Sequence, residues 1–178
     1  MLKKILLLLV VGIAGLAVYI AMQPDHFRIE RRATVNAPPR AVFTQVNDFR
    51  KWDDWSPWAK LDPNSKIAFE GPQGGQGAVF KWSGNEKVGE GKMTLVESKP
   101  SELVRIEVEF VKPFEGSSTS EFTFRPQPDG TEVVWASYGP MNFISKAICL
   151  VMNMEKTLGP EMEKGLLQMK VLAEGERT

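Results

Sequence analysis

The chain is short of the side chains that move protons or hold metals. Its only histidine is His26 and its only cysteine is Cys149. One histidine at the edge of a strand cannot assemble a Ser/His/Asp triad, a histidine-based zinc site or an imidazole proton shuttle, so no catalytic or metal-ligating residue and no cofactor is expected. A single cysteine forms no internal disulfide and leaves the redox compartment open. Ala147, Ile148, Leu150 and Val151 surround Cys149 with carbon, which raises a thiol's pKa and marks an inert, buried group. Net charge is also absent: 22 basic residues offset 22 acidic ones, with no dense Lys/Arg run. Such a surface has no field or phosphate track for nucleic acid. The glycine-rich stretch Gly71 to Gly77 lacks a following Lys-Ser/Thr and precedes a strand, so it reads as a hairpin at a rim and not a phosphate loop. Asp53 and Asp54 are adjacent, point in different directions, and read as groups at a helix start.

What is present begins with carbon. Residues 5–22 carry no charged or strongly polar side chain. As a helix this run is roughly 27 Å long, close to the hydrocarbon thickness of a bilayer. A cleaved signal peptide ending near Gly15-Leu16-Ala17 is the alternative, but the apolar run continues past that site to Met22, which favours a signal-anchor. The expected organisation is an anchor over residues 1–23 and one domain over 24–178. Lys3 and Lys4 favour the N-terminal end staying inside and the domain lying outside the cytoplasmic membrane; Arg28, Arg31 and Arg32 on the other side oppose this.

From His26 to Ala37 apolar and polar residues alternate with period two, apart from Arg31 in the inward phase. Pro38-Pro39 ends that strand and opens a short helix to about Phe49, with Val42, Val46 and Phe49 on one face. Trp52, Trp55 and Trp58 follow at spacings of three, and Pro57 breaks the second short helix. Six strands without intervening helices come next, the clearest being Leu103 to Val111. A helical segment spans about Asn142 to Met154. A long helix opening at Gly159-Pro160 then presents Leu158, Met162, Leu166, Met169 and Leu172 as one stripe.

Several pieces combine in this order: Val35-Asn36-Ala37-Pro38-Pro39, Trp55-Ser56-Pro57-Trp58, Phe80-Lys81-Trp82-Ser83-Gly84, Val88-Gly89-Glu90-Gly91, Thr131-Glu132-Val133-Val134-Trp135 and Glu163-Lys164-Gly165-Leu166. Together they resemble the SRPBCC superfamily of START-like domains, in its polyketide cyclase/dehydrase branch. The resemblance implies an α+β helix-grip fold: a curved antiparallel sheet of about seven strands around a long C-terminal helix, with a hydrophobic cavity between them. It also implies an apolar small molecule or lipid as partner.

The expected ligand-binding set is Trp55, Trp58, Phe80, Trp82, Met93, Phe110, Phe122, Trp135, Met162 and Leu166. Methionines and aromatics repack readily around varied ligands. The leading expectation is membrane-tethered binding without catalysis. A cyclase or dehydratase is the alternative, with Glu90, Glu97, Ser118, Ser120 and Ser137 as the polar groups able to enter the cavity. A protein-interaction domain of the chaperone-binding type is the third reading, with no protein partner identified.

Overall fold

The structure is a computed structural model that describes residues 2–175. Seven strands form one antiparallel sheet: β1 His26–Val35, β2 Lys66–Glu70, β3 Val79–Ser83, β4 Glu90–Lys99, β5 Leu103–Lys112, β6 Gly116–Gln127 and β7 Gly130–Pro140. β2 through β7 run as a meander and β1 pairs with β7, giving the order β1-β7-β6-β5-β4-β3-β2. The helices are α1 Leu2–Ala21, α2 Pro39–Asn47, α3 Trp52–Trp55, α4 Phe143–Val151 and α5 Met154–Gly175, with a 3₁₀ turn at Phe49–Lys51. This is the α+β helix-grip architecture expected from the sequence.

Alternation along the strands decides which face is covered. On β5, Val104, Ile106 and Val108 are buried, whereas Arg105, Glu107 and Glu109 project from the other face. The buried stripe of α5, Met162, Leu166 and Met169, lies over β1 and against α2 and α3. Each of these side chains contributes about 1.5–3 kcal/mol on leaving water. α5 begins at Met154, one turn and more before the Gly159-Pro160 start read from the sequence, because Asn153 caps it. The Asn153 Oδ1 accepts from Lys156 N at 3.1 Å and its carbonyl accepts from Thr157 N at 3.1 Å. Pro160 then sits inside the helix on an exposed position.

The one inward-phase arginine of β1 explains a glycine in α5. Arg31 Nη2 donates to Glu155 Oε1 at 2.6 Å and Arg31 Nε donates to Glu163 Oε1 at 2.6 Å. Both bonds hold the guanidinium charged and raise its pKa, Glu155 more than Glu163. Glu155, Gly159 and Glu163 recur every four residues on one helix face. A Cβ at Gly159 would collide with the guanidinium between them. Gly159→Ala should therefore push the guanidinium off its two exposed carboxylates, so a double-mutant cycle with Arg31→Ala in urea should show a coupling of about 0.5–1 kcal/mol between the positions. Strictly additive effects would refute the contact.

The outer face of the sheet is held by ion pairs. Hydrogen bonds from Arg28 and then Arg32 keep the Glu30 carboxyl below its ordinary value of 4.5. Lys99, and then Arg105, do the same for Glu97, whose ordinary value is also 4.5. Both folded values are depressed, so these carboxylates add stability fully above pH 4.5 and lose it as pH falls through the folded values. The melting temperature should stay level from neutral pH to about pH 5 and drop below that. A melting temperature that rises on acidification in this range would contradict the assignment.

One end of the sheet gathers several features. His26 pairs with Pro140 there, Phe110 pairs with Gly116, and Lys66 pairs with Ser83. The chain therefore leaves α1, enters β1, and meets the end of β7 and the 113–115 turn on the same side. α1 has 20 residues, is long and apolar enough to cross a membrane, and is exposed except at the half-buried Ala17 and the buried Ile20. The glycine-rich turn lies at the opposite end and is tied to the end of α2, with Gly75 N donating to Asn47 O at 3.0 Å and Arg50 Nη1 to Gln73 O at 2.8 Å.

Candidate functional site

The aromatic side chains form a connected series across the concave face. Phe110 meets Trp82 edge-on at 5.8 Å between ring centroids, and Trp82 stacks on Phe80 at 6.0 Å. Phe80 leads through Phe49 at 6.1 Å to Trp52, which contacts both Trp55 at 4.6 Å and Phe122 at 6.0 Å. Phe122 stacks on Trp135 at 4.8 Å, Trp55 meets Trp135 at 5.7 Å, and Trp135 meets Trp58 at 5.9 Å. Edge-on and offset geometries of this kind add about 0.5–1.5 kcal/mol each beyond burial.

The middle of the series is packed solid and its two ends are open. Trp52, Trp55, Phe122 and Trp135 are buried, and each indole nitrogen has an acceptor. Trp52 Nε1 donates to Val46 O at 3.0 Å, Trp55 Nε1 to Gln45 O at 3.0 Å, and Trp135 Nε1 to Ser120 Oγ at 2.8 Å. At the ends, Trp58, Phe80, Trp82 and Met93 are only half-buried, and Phe110 keeps 42% of its surface exposed. Trp82 lies across β4 because residue 91 is glycine: a Cβ there would come 2.6 Å from the indole ring. Its Nε1 donates to Val88 O at 2.9 Å, which fixes the ring plane.

Between these ends the strand registers place a floor of small residues. Val108 pairs with Ser118, Ile106 with Ser120, and Ser120 with Ser137. Period-two alternation puts these side chains on the face that carries Phe110 and Trp135. Val108 and the serines thus share one face of the sheet with the half-buried aromatic rings, toward the end where α1 joins β1.

The family described as "Polyketide cyclase / dehydrase and lipid transport" matches residues 26–174. The chain belongs to this family. Solved structures share the SRPBCC fold at low identity. A protein of Chromobacterium violaceum is 17% identical over 85% of this chain and 99% of its own, with a TM-score of 0.56. The di-domain aromatase/cyclase StfQ of the steffimycin biosynthetic pathway is 12% identical over 86% of this chain and 52% of its own, at 0.62. The Aha1 dimer from Colwellia psychrerythraea is 15% identical over 83% of this chain and 96% of its own, at 0.60. No curated protein matches the chain at a significant level.

The structure divides the ten residues expected to line a cavity in this SRPBCC domain into two groups. Trp55, Phe122, Trp135, Met162 and Leu166 sit in the filled half, each at most 3% exposed. Trp58, Phe80, Trp82 and Met93 are half-buried against the core, and Phe110 is exposed, at the two ends of the aromatic series. Of the polar groups able to enter, Glu90 turns to Lys112 at 2.7 Å and Glu97 to Lys99 at 2.7 Å and to Arg105. Both carboxylates belong to the outer face, and the three serines belong to the inner face. The outer face also carries Tyr138, whose hydroxyl donates to Glu121 Oε2 at 3.1 Å and whose pKa is raised first by burial and then by that bond. Cys149, expected to be buried, is only half-buried because its helix leaves much of its apolar surface outside; the partial burial still raises the thiol's pKa. Sequence reading missed the Arg31 clasp and Gly159; the signal was the Glu-Gly-Glu spacing of four opposite an inward arginine.

Proposed function

We propose that this SRPBCC domain binds a hydrophobic small molecule or lipid in the open half of its groove and that α1 tethers it to a membrane. The observation that carries the reading is the set of incompletely buried aromatics, Trp58, Phe80 and Trp82 with the exposed Phe110, on the inner face of a curved sheet. Large apolar groups left at a concave surface gain by covering each other with an apolar ligand. The hydroxyls of Ser118 and Ser137 on the floor suit the polar end of an amphiphile. The family's description includes lipid transport, which agrees with this chemistry. A tether over residues 5–22, joined to a domain at 24–178 lying outside the cytoplasmic membrane, would hold the groove mouth within a few residues of the bilayer. Apolar ligands then meet it at high effective concentration.

Catalysis of the cyclase or dehydratase kind is the second reading, favoured by the three hydroxyls on the groove floor. Moving protons there calls for a group with a matched pKa. Ser120 already accepts from Trp135, and Glu90 and Glu97 face outward, so binding is the better account.

Native mass spectrometry of the full chain, extracted from its own host in nanodiscs, tests the proposal. The expected spectrum contains a co-purified lipid or apolar molecule that a fluorescent fatty acid displaces. A bare protein mass together with no uptake of the fatty acid would overturn it.

A further inference from the structure

α4 is an amphipathic helix turned inside out. Its buried residue is a lysine: Lys146 keeps 6% of its surface exposed, whereas Phe143, Ile144 and Val151 keep 51%, 58% and 88%. Leu150 and Met152 are exposed as well, and an open apolar depression of about 440 Å³ runs along this face. In water this arrangement is unfavourable twice over, since it uncovers carbon and withdraws a charge. Against lipid it is the ordinary arrangement.

α4 is fixed against the end of α1. Lys146 Nζ donates to the carbonyl of Ala21, the last residue of α1, at 3.2 Å, and also pairs with Asp25. A cation is the natural cap for the partial negative charge at a helix C-terminus. Met141 N donates to Asp25 O at 2.7 Å, which joins the start of the α4 segment to the same linker. α1 and α4 pack directly on each other. Phe114, 61% exposed in the turn after β5, lies at this end of the sheet too.

We infer that α4 is a second membrane contact: its apolar face, with Phe114 beside it, lies in the bilayer interface at the point where α1 leaves the hydrocarbon. The inference rests on the reading of α1 as a membrane span. Lys146 locks the span and the interfacial helix at a set angle, so the domain is laid on the membrane with its groove mouth facing the lipid and does not swing from a flexible linker.

The test uses the full chain in phosphatidylcholine/phosphatidylglycerol nanodiscs, in a Cys149→Ser background. A bimane label is placed at Val151→Cys or, as a reference for the span, at Gly12→Cys, where the surroundings are open. Fluorescence is read against spin-labelled lipids and against aqueous iodide. The expected result is quenching by lipid labels near the headgroups at position 151, loss of iodide quenching there, and quenching by deep lipid labels at position 12. Quenching at 12 with an iodide-accessible 151 would overturn the α4 contact alone. Absence of lipid quenching at both positions would overturn the anchor reading and the α4 contact together. Protection of 151 from iodide without lipid quenching would also overturn the contact, by showing a second protein copy on this face.

Discussion

Trp82→Ala removes most of the binding of a fluorescent fatty acid and leaves the fold intact. The indole is half-buried, stacks on Phe80, meets Phe110 edge-on and lies over Gly91, so it forms the larger part of one groove wall. Losing the contact of one aromatic ring with an apolar ligand costs about 1.5–3 kcal/mol, or roughly 10- to 150-fold in Kd. Its structural share is smaller, because the ring is only partly buried in the folded protein; about 1–2 kcal/mol of stability is expected to go. A titration in nanodiscs read beside a thermal melt separates the two effects. Unchanged affinity in a folded variant would remove the groove from consideration as the site.

Trp55→Ala has the opposite profile, and its stability loss is the largest expected of any single truncation in this domain. Trp55 is 1% exposed and touches Trp52, Phe122 and Trp135, and its indole N–H supplies the acceptor Gln45 O with a partner. Deleting a buried tryptophan costs about 3–5 kcal/mol, against a total stability of about 5–15 kcal/mol for most domains. Because α3 is held to the sheet through this ring, the loss should appear as a fall in melting temperature with a preserved unfolding slope in urea. A variant that melts within a few degrees of the parent would show that the inner half of the groove is a cavity able to collapse, and not a packed core. The pair of variants therefore distinguishes wall from filling.

That distinction divides what could be read along the chain from what could not. Period-two alternation in β5 and the four-residue stripe of α5 are local properties, and they determined the strands, the long helix and the face each buries. The same holds for the apolar run at residues 5–22 and for the shortage of histidine and cysteine, which removed whole classes of chemistry. Trp55 and Trp58, by contrast, have nearly the same local context and opposite fates. The first is covered because Phe122 and Trp135 arrive from strands more than sixty residues away, and the second lies at the open end of the same aromatic series. Whether a ring fills a core or lines a groove depends on the summed volume of residues distant in sequence, which no local period encodes.

The start of α5 and the face of α4 follow the same rule. Gly159-Pro160 resembles a helix start locally, yet Asn153 caps the helix earlier and Arg31 needs the glycine for its guanidinium. In α4 the periodicity alone showed an apolar helix with one lysine. Only the fold put that lysine inward, against the carbonyl end of α1, and left the carbon outside. The chain by itself determined the elements, the apolar character of the sheet's inner face and a segment long and apolar enough to span a bilayer. The tertiary structure decided which aromatics are fully buried and which only in part, and which way α4 faces, because both depend on what the folded chain brings to the other side of each residue.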